Sequence, residues 1–135
     1  MQNSGTYSLG DFTITTAGTQ VGTPVTDIGD LHAALFEARL AYGSGGTTAK
    51  LYLQTSANQG TTWADIACIT FGTAAKAVLL NRSALTPTGQ VVPTDGAMAD
   101  DTAVDGVLGD RLRAKLVTTG TYAGSTVLEV RVTVR

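Results

Sequence analysis

Five aspartates, Asp95, Asp100, Asp101, Asp105 and Asp110, fall in one short stretch with no lysine or arginine until Arg111. Hard cations such as calcium take several oxygen ligands, so this is the first place to look for a metal. The spacing does not match an EF-hand loop, and the reading is an acidic loop that is solvated or docked on a basic neighbour, with no metal site. Arg111, Arg113, Lys115 and Arg131 alternate along the last two apolar-periodic segments and are expected to form a basic face. An acidic loop and a basic face on one small domain would join neighbouring copies, which predicts a homo-oligomer. Asp95, Asp100, Asp101, Asp105, Arg111, Arg113, Lys115 and Arg131 are therefore the candidate interface. Other reactive types are sparse. His32 is the single histidine and has no second histidine or cysteine near it in sequence. The only glutamates, Glu37 and Glu129, lie on separate proposed hairpins and do not suggest an acid–base dyad. Gly-x-Ser-x-Gly, the P-loop, the dinucleotide glycine motif and Cys-x-x-Cys do not occur. The sequence thus predicts no enzyme, no catalytic residue and no cofactor.

Residues 56–63, "SANQGTTW", follow the pattern Ser-x-Asp-x-Gly-x-Thr-Trp with Asn58 at the Asp position. The pattern resembles the Asp-box of sialidases and other secreted β-proteins, where it sits away from the catalytic centre. Ser56 and Asn58 can accept backbone N–H groups in an Asx-type turn, and Gly60 can take a φ other residues resist. Thr62 re-enters a strand, and Trp63 is expected to fold on the sheet and bury on the order of 200 Å². The motif reads as a hairpin device made of Ser56, Asn58, Gly60, Thr62 and Trp63. One box does not supply the repeated blades of a propeller.

The elements that would carry these residues are strands. The chain has 135 residues, 43% of them hydrophobic and only 15% charged, with a net charge of −2. That length suits one domain spanning 1–135, and the charge draws it to neither nucleic acid nor anionic membrane. No apolar run nears the roughly 20 residues of a membrane helix, and the first residues lack signal-peptide character. Cys68 is the single cysteine, inside an apolar run, and is expected to be a buried thiol. Short alternating segments between Gly-rich turns predict an all-β fold. "DRLRAKLV" and "VLEVRVTV" would form a hairpin around "TTGTYAG", with Lys115 close to Glu129. "FEARLAY" and "KLYLQTS" would form another around "GSGG", residues 43–46. The segment before it has helix formers and a capping residue, Asp30, which allows a short helical turn near 28–34. "YSLGDFTITT", "TTWADIACITF" and "KAVLLN" supply further strands. Residues 82–106 form a long loop in which "GQVV" could be a short strand. The expected architecture is an antiparallel β-sandwich, jelly-roll-like, of about eight strands.

The segments "YGSGGT", "QTS", "GTTW", "DIA", "PTDG", "VDGVLGDRLR" and "GTYAG", from about residue 40 to the C-terminus, resemble a group of small tailed-bacteriophage proteins encoded among virion-structure genes. That resemblance implies a β-rich virion component made in the host cytoplasm and names no catalytic residue. The expected function is a capsid decoration or cement protein that binds the major capsid protein lattice. A neck or tail component (connector, stopper or tail-tip) is the nearest alternative. A carbohydrate-binding host-attachment module is another, with Trp63, Tyr7, Tyr42, Tyr52 and Tyr122 as candidate stacking platforms.

Overall fold

The alternation read along β3 (Ala33–Ala41) decides which way its side chains point. Ala34, Phe36, Ala38 and Leu40 are buried, while Glu37 and Arg39 face out. The computed structural model describes residues 2–135 and contains nine further strands: β1 (Gly5–Thr13), β2 (Gly18–Val21), β4 (Ser44–Gly45), β5 (Thr48–Ser56), β6 (Ala64–Phe71), β7 (Lys76–Ser83), β8 (Arg111–Thr119), β9 (Tyr122–Ala123) and β10 (Val127–Val134). Eight of the ten strands make two four-stranded antiparallel sheets, ordered β1-β10-β3-β7 and β2-β8-β5-β6. With the two-residue β4 and β9 set aside, this is the strand order of a jelly roll. Leu128, Val130, Val132 and Val134 of β10 line one inner face, and Leu51, Leu53, Leu112, Ala114 and Leu116 of β5 and β8 line the other. The all-β sandwich expected from the sequence is the fold observed.

Both expected hairpins are instead arches between the sheets. β8 lies in one sheet and β10 in the other, and β3 and β5 are likewise separated. Period-2 alternation marks which face of a strand is buried; it does not choose the neighbour. Lys115 consequently sits opposite Tyr52 of β5, while Glu129 sits between Asp11 and Arg39. Arg131 belongs to the outer face of the other sheet, beside Asp11 at 2.9 Å, so no single basic face includes all four cations. The two arches pair with each other: β4 and β9 exchange hydrogen bonds, and Gly46 N donates to Thr121 O at 2.7 Å. Tyr122 is buried where they meet. Its hydroxyl donates to Gly72 O at 2.8 Å, and its ring stands edge-on to Tyr42 at 6.2 Å. Gly46 has φ of +78°, and any Cβ there would collide with the Tyr122 ring. The "GSGG" sequence is thus required by arch-to-arch contact and not by a hairpin turn.

Other expectations shift in detail. Residues 28–31 form a turn, with Leu31 N donating to Ile28 O at 3.0 Å, and β3 already begins at Ala33. No helix forms among the described residues. The long loop runs over 84–110, and "GQVV" is not a strand. Replacing Tyr122 by Phe should cost about 1 kcal/mol in urea unfolding, for the lost hydroxyl. Gly46→Ala should cost about 2–4 kcal/mol, for φ strain and overpacking together. Wild-type stability of Gly46→Ala would contradict the packed arches.

Candidate functional site

β5 and β6 are the one consecutive pair that stays within a sheet, and residues 57–63 link them. Ser56 Oγ accepts from Asn58 N at 3.3 Å and from Gly60 N at 2.8 Å. Asn58 Oδ1 accepts from Thr62 N at 2.9 Å, and its amide donates to Thr62 Oγ1 at 2.7 Å. Gln59 and Gly60 take positive φ, 58° and 87°. The box is a hairpin device, and its polar groups are consumed inside the turn.

A β-bulge follows at once. Leu53 pairs with Ala67 but Gln54 pairs with Asp65, so Ile66 is the extra residue and packs in the core. The bulge sets Asp65 beside Gln54 on the outer face of the sheet. There Asp65 is only 4% exposed, and residues 94–98 close over it. Its Oδ2 accepts from Thr94 Oγ1 at 2.8 Å and from the amides of Gly96, Ala97 and Met98 at 2.9, 2.9 and 3.1 Å. Its Oδ1 accepts from Gln54 Nε2 at 2.8 Å and shares the Gly96 amide. Burial pushes the carboxyl up, but the hydrogen bonds from Gln54, Ala97, Gly96 and Thr94 outweigh it and hold Asp65 below the ordinary aspartate value. A loop whose successive amides converge on one oxygen is an anion nest, here filled by the protein's own side chain.

Gln54, wholly buried, passes this constraint on. Its Nε2 also reaches Asp95 Oδ1 at 2.7 Å, and its Oε1 accepts from Arg113 Nε at 2.7 Å. Asp95 receives Lys115 Nζ at 2.9 Å and lies 3.5 Å from Arg113. Burial pushes its carboxyl up, but the hydrogen bonds from Lys115 and Gln54 and the nearby Lys115 and Arg113 charges together bring it below the ordinary value. The Arg113 guanidinium lies 4.3 Å over the Trp63 ring, which ties the box to the loop.

The remaining acids of the loop are also used within the chain. Asp100 pairs with Lys50 at 2.9 Å, Asp101 accepts from Thr70 N at 2.9 Å, and Asp105 accepts from Ser83 N at 2.6 Å and Thr86 Oγ1 at 3.1 Å. Asp110 lies 3.6 Å from Arg111. The acidic loop and the basic residues Lys50, Arg113 and Lys115 thus meet within one chain. β8 stands beside β5, so Lys50, Arg113 and Lys115 share an outer face that the loop crosses. The loop also runs along the free edge of β6: Thr94 O accepts from Asp65 N, Thr102 O from Cys68 N, and Val104 N donates to Ile66 O. It covers a strand edge that would otherwise be open. Cys68 and Tyr52 lie buried on this face, so Tyr52 offers no stacking platform. Burial raises the Cys68 thiol above its ordinary value. His32 is exposed at the entrance to β3, and among the described residues no three His, Cys, Asp or Glu side chains converge to hold a metal.

Between the Asp-box turn and the loop lies a cleft of about 580 Å³, walled by Trp63, Val91, Pro93, Val107 and Leu108, with Asp95 at one side. Trp63 is half-buried, its ring against Arg113 of β8 on the outer face of the sheet. It stands just before β6, and the bulge that follows and Arg113 on its face hold it at the cleft. Asp65 and Gln54, the residues that fix this surface, were missed in the sequence. The signal was an acid inside the apolar run "ADIACITF". No protein-family model matches the chain, and no curated protein matches it.

Trp63→Ala should cost roughly 2 kcal/mol rather than the 3–5 kcal/mol of a core tryptophan. Because the folded Asp65 value lies below the unfolded one, its contribution is fully present above about pH 4 and is lost as pH falls through the folded value. The melting temperature should therefore drop below pH 4, and less steeply in Asp65→Asn. Parallel pH profiles for the two proteins would contradict this assignment.

Proposed function

We propose that this chain is a structural component of a bacteriophage particle, a capsid decoration or cement protein that binds the major capsid protein lattice. The observation that carries the reading is the preformed apolar cleft, one wall of which, around Thr94, is held by the Asp65 clamp. A protein that stabilises a lattice gains by docking a ready-made surface, since little ordering entropy is lost on binding. The cleft offers that surface: Trp63, Val91, Pro93, Val107 and Leu108 accept an apolar segment of a neighbouring virion protein, and its two lining acids, Asp65 and Asp95, are already partnered within the chain. The resemblance of "YGSGGT", "PTDG" and "GTYAG" to tailed-phage virion proteins supports the same reading, as does a jelly-roll order, an architecture used by viral capsid domains. Jelly rolls also serve lectins, and Trp63 at the cleft favours carbohydrate binding as the second reading.

Quantitative mass spectrometry of purified particles tests the proposal. A count on the order of hundreds of copies per particle is the expected result. A ring-sized count of about six to twelve would move the chain to the neck or tail, and absence from particles would contradict a virion role. Val91→Asp should weaken capsid binding about tenfold while leaving stability within about 0.5 kcal/mol. Unchanged capsid binding, with glycan binding that disappears in Trp63→Ala, would favour the second reading.

A further inference from the structure

The flank of the sandwich opposite β1 and β2 is open on one side. β6 is covered by the loop, but β7, the outer strand of the other sheet, has no strand beyond it. Which backbone groups it presents follows from its end. Ser83 N donates to Asp105 Oδ1, and Ser83 O accepts from Gly106 N at 2.9 Å, so Ser83 faces away from β3. By alternation Ala77, Leu79 and Asn81 also turn their N–H and C=O groups outward. Among the described residues the one partner found for the outward groups of Ala77, Leu79 and Asn81 is Arg82 Nε, which covers Asn81 O at 2.6 Å. Leu79 stands 67% exposed at the centre of the row. Beside the edge runs a groove of about 320 Å³ between the sheets, walled by Val78, Leu80, Ile69, Cys68 and Ala103.

We infer that β7 binds β7 of a second copy, antiparallel about a two-fold axis through Leu79. This is independent of the virion reading. The edge is complementary to itself in that register. Leu79 pairs with Leu79 of the second copy as a hydrogen-bonded pair, and Ala77 pairs with Asn81 of the second copy, so the outward donors and acceptors meet once Arg82 swings off Asn81 O. On the groove side Val78 comes opposite Leu80 of the second copy, and each copy covers the half-exposed wall of the other. On the outer face the two Leu79 side chains cover one another. Lys76 would face Arg82 of the second copy, but Lys76 is drawn inward, to Thr70 O at 2.9 Å and over the Phe71 ring at 5.6 Å. The two outer sheets join into one continuous sheet.

Sedimentation velocity of the purified chain over a concentration series tests the inference. The expected result is a reversible doubling of mass. Leu79→Pro removes an N–H that the monomer does not use and should weaken association roughly thirtyfold. Its thermal melt at low concentration checks that the fold survives, and Leu79→Glu, which sets two charges on the axis, serves if it does not. Leu79→Cys, oxidised, should give a covalent dimer, since Cα atoms of such a pair fall within disulfide range and native Cys68 is buried. A monomer at every concentration, a dimer indifferent to both Leu79 substitutions, or a dimer that Leu79→Cys does not cross-link would overturn it.

Discussion

A carboxylate taken out of water must recover its lost hydration from the protein. Asp65 does so by gathering three successive amides, a threonine hydroxyl and the Gln54 amide. The constraint is mutual. Asp65 is buried because the loop covers it, and the loop holds one shape because its amides converge on Asp65. From that point the order of residues 94–106 follows. Asp95 is placed to take Lys115, Asp100 to take Lys50, and Asp101 to cap an amide at the edge of β6. Each surface pair alone would contribute little. Together they lie along a backbone already fixed at one end, so less entropy opposes each of them.

The same logic shapes the other end of the sandwich. Jelly-roll connections pass between sheets, and two passing close together would leave backbone groups unmatched. Here the arches pair with each other through β4 and β9, and Tyr122 fills the space they enclose. Glycines stand where the backbones touch, because a side chain has no room there. The two ends therefore differ in character. One is packed and closed, and the other carries the cleft.

The sequence showed seven of the strands and the faces they bury, but not β2 (Gly18–Val21) or the two-residue β4 and β9. Ala34, Phe36, Ala38 and Leu40 alternate without a break, and so do Leu128, Val130, Val132 and Val134; both sets lie in the core. The Asp-box was legible because its hydrogen bonds close within seven residues of chain, and local chemistry is written locally. What sequence did not reveal was long-range pairing. β8 and β10 have the pattern of a hairpin, yet they sit in different sheets, because either arrangement buries the same side chains. The acidic loop was visible as a run of charge, but its partners Lys50, Arg113 and Lys115 belong to strands distant in sequence. Asp65 was hidden for the opposite reason: a single acid in an apolar strand reads as an interruption, and its meaning depends on loop residues some thirty positions later.

The central claim is that one buried carboxylate orders the surface that carries the cleft. Hydrogen exchange measured residue by residue, in the wild type and in Asp65→Asn, tests it most directly. The amides of Gly96, Ala97, Met98 and, at the covered β6 edge, Cys68 should exchange about a hundredfold faster in the variant, while the amides of Leu51 and Leu116 keep their rates. Loop amides that exchange at wild-type rates would contradict the account, and so would a uniform loosening of both sheets.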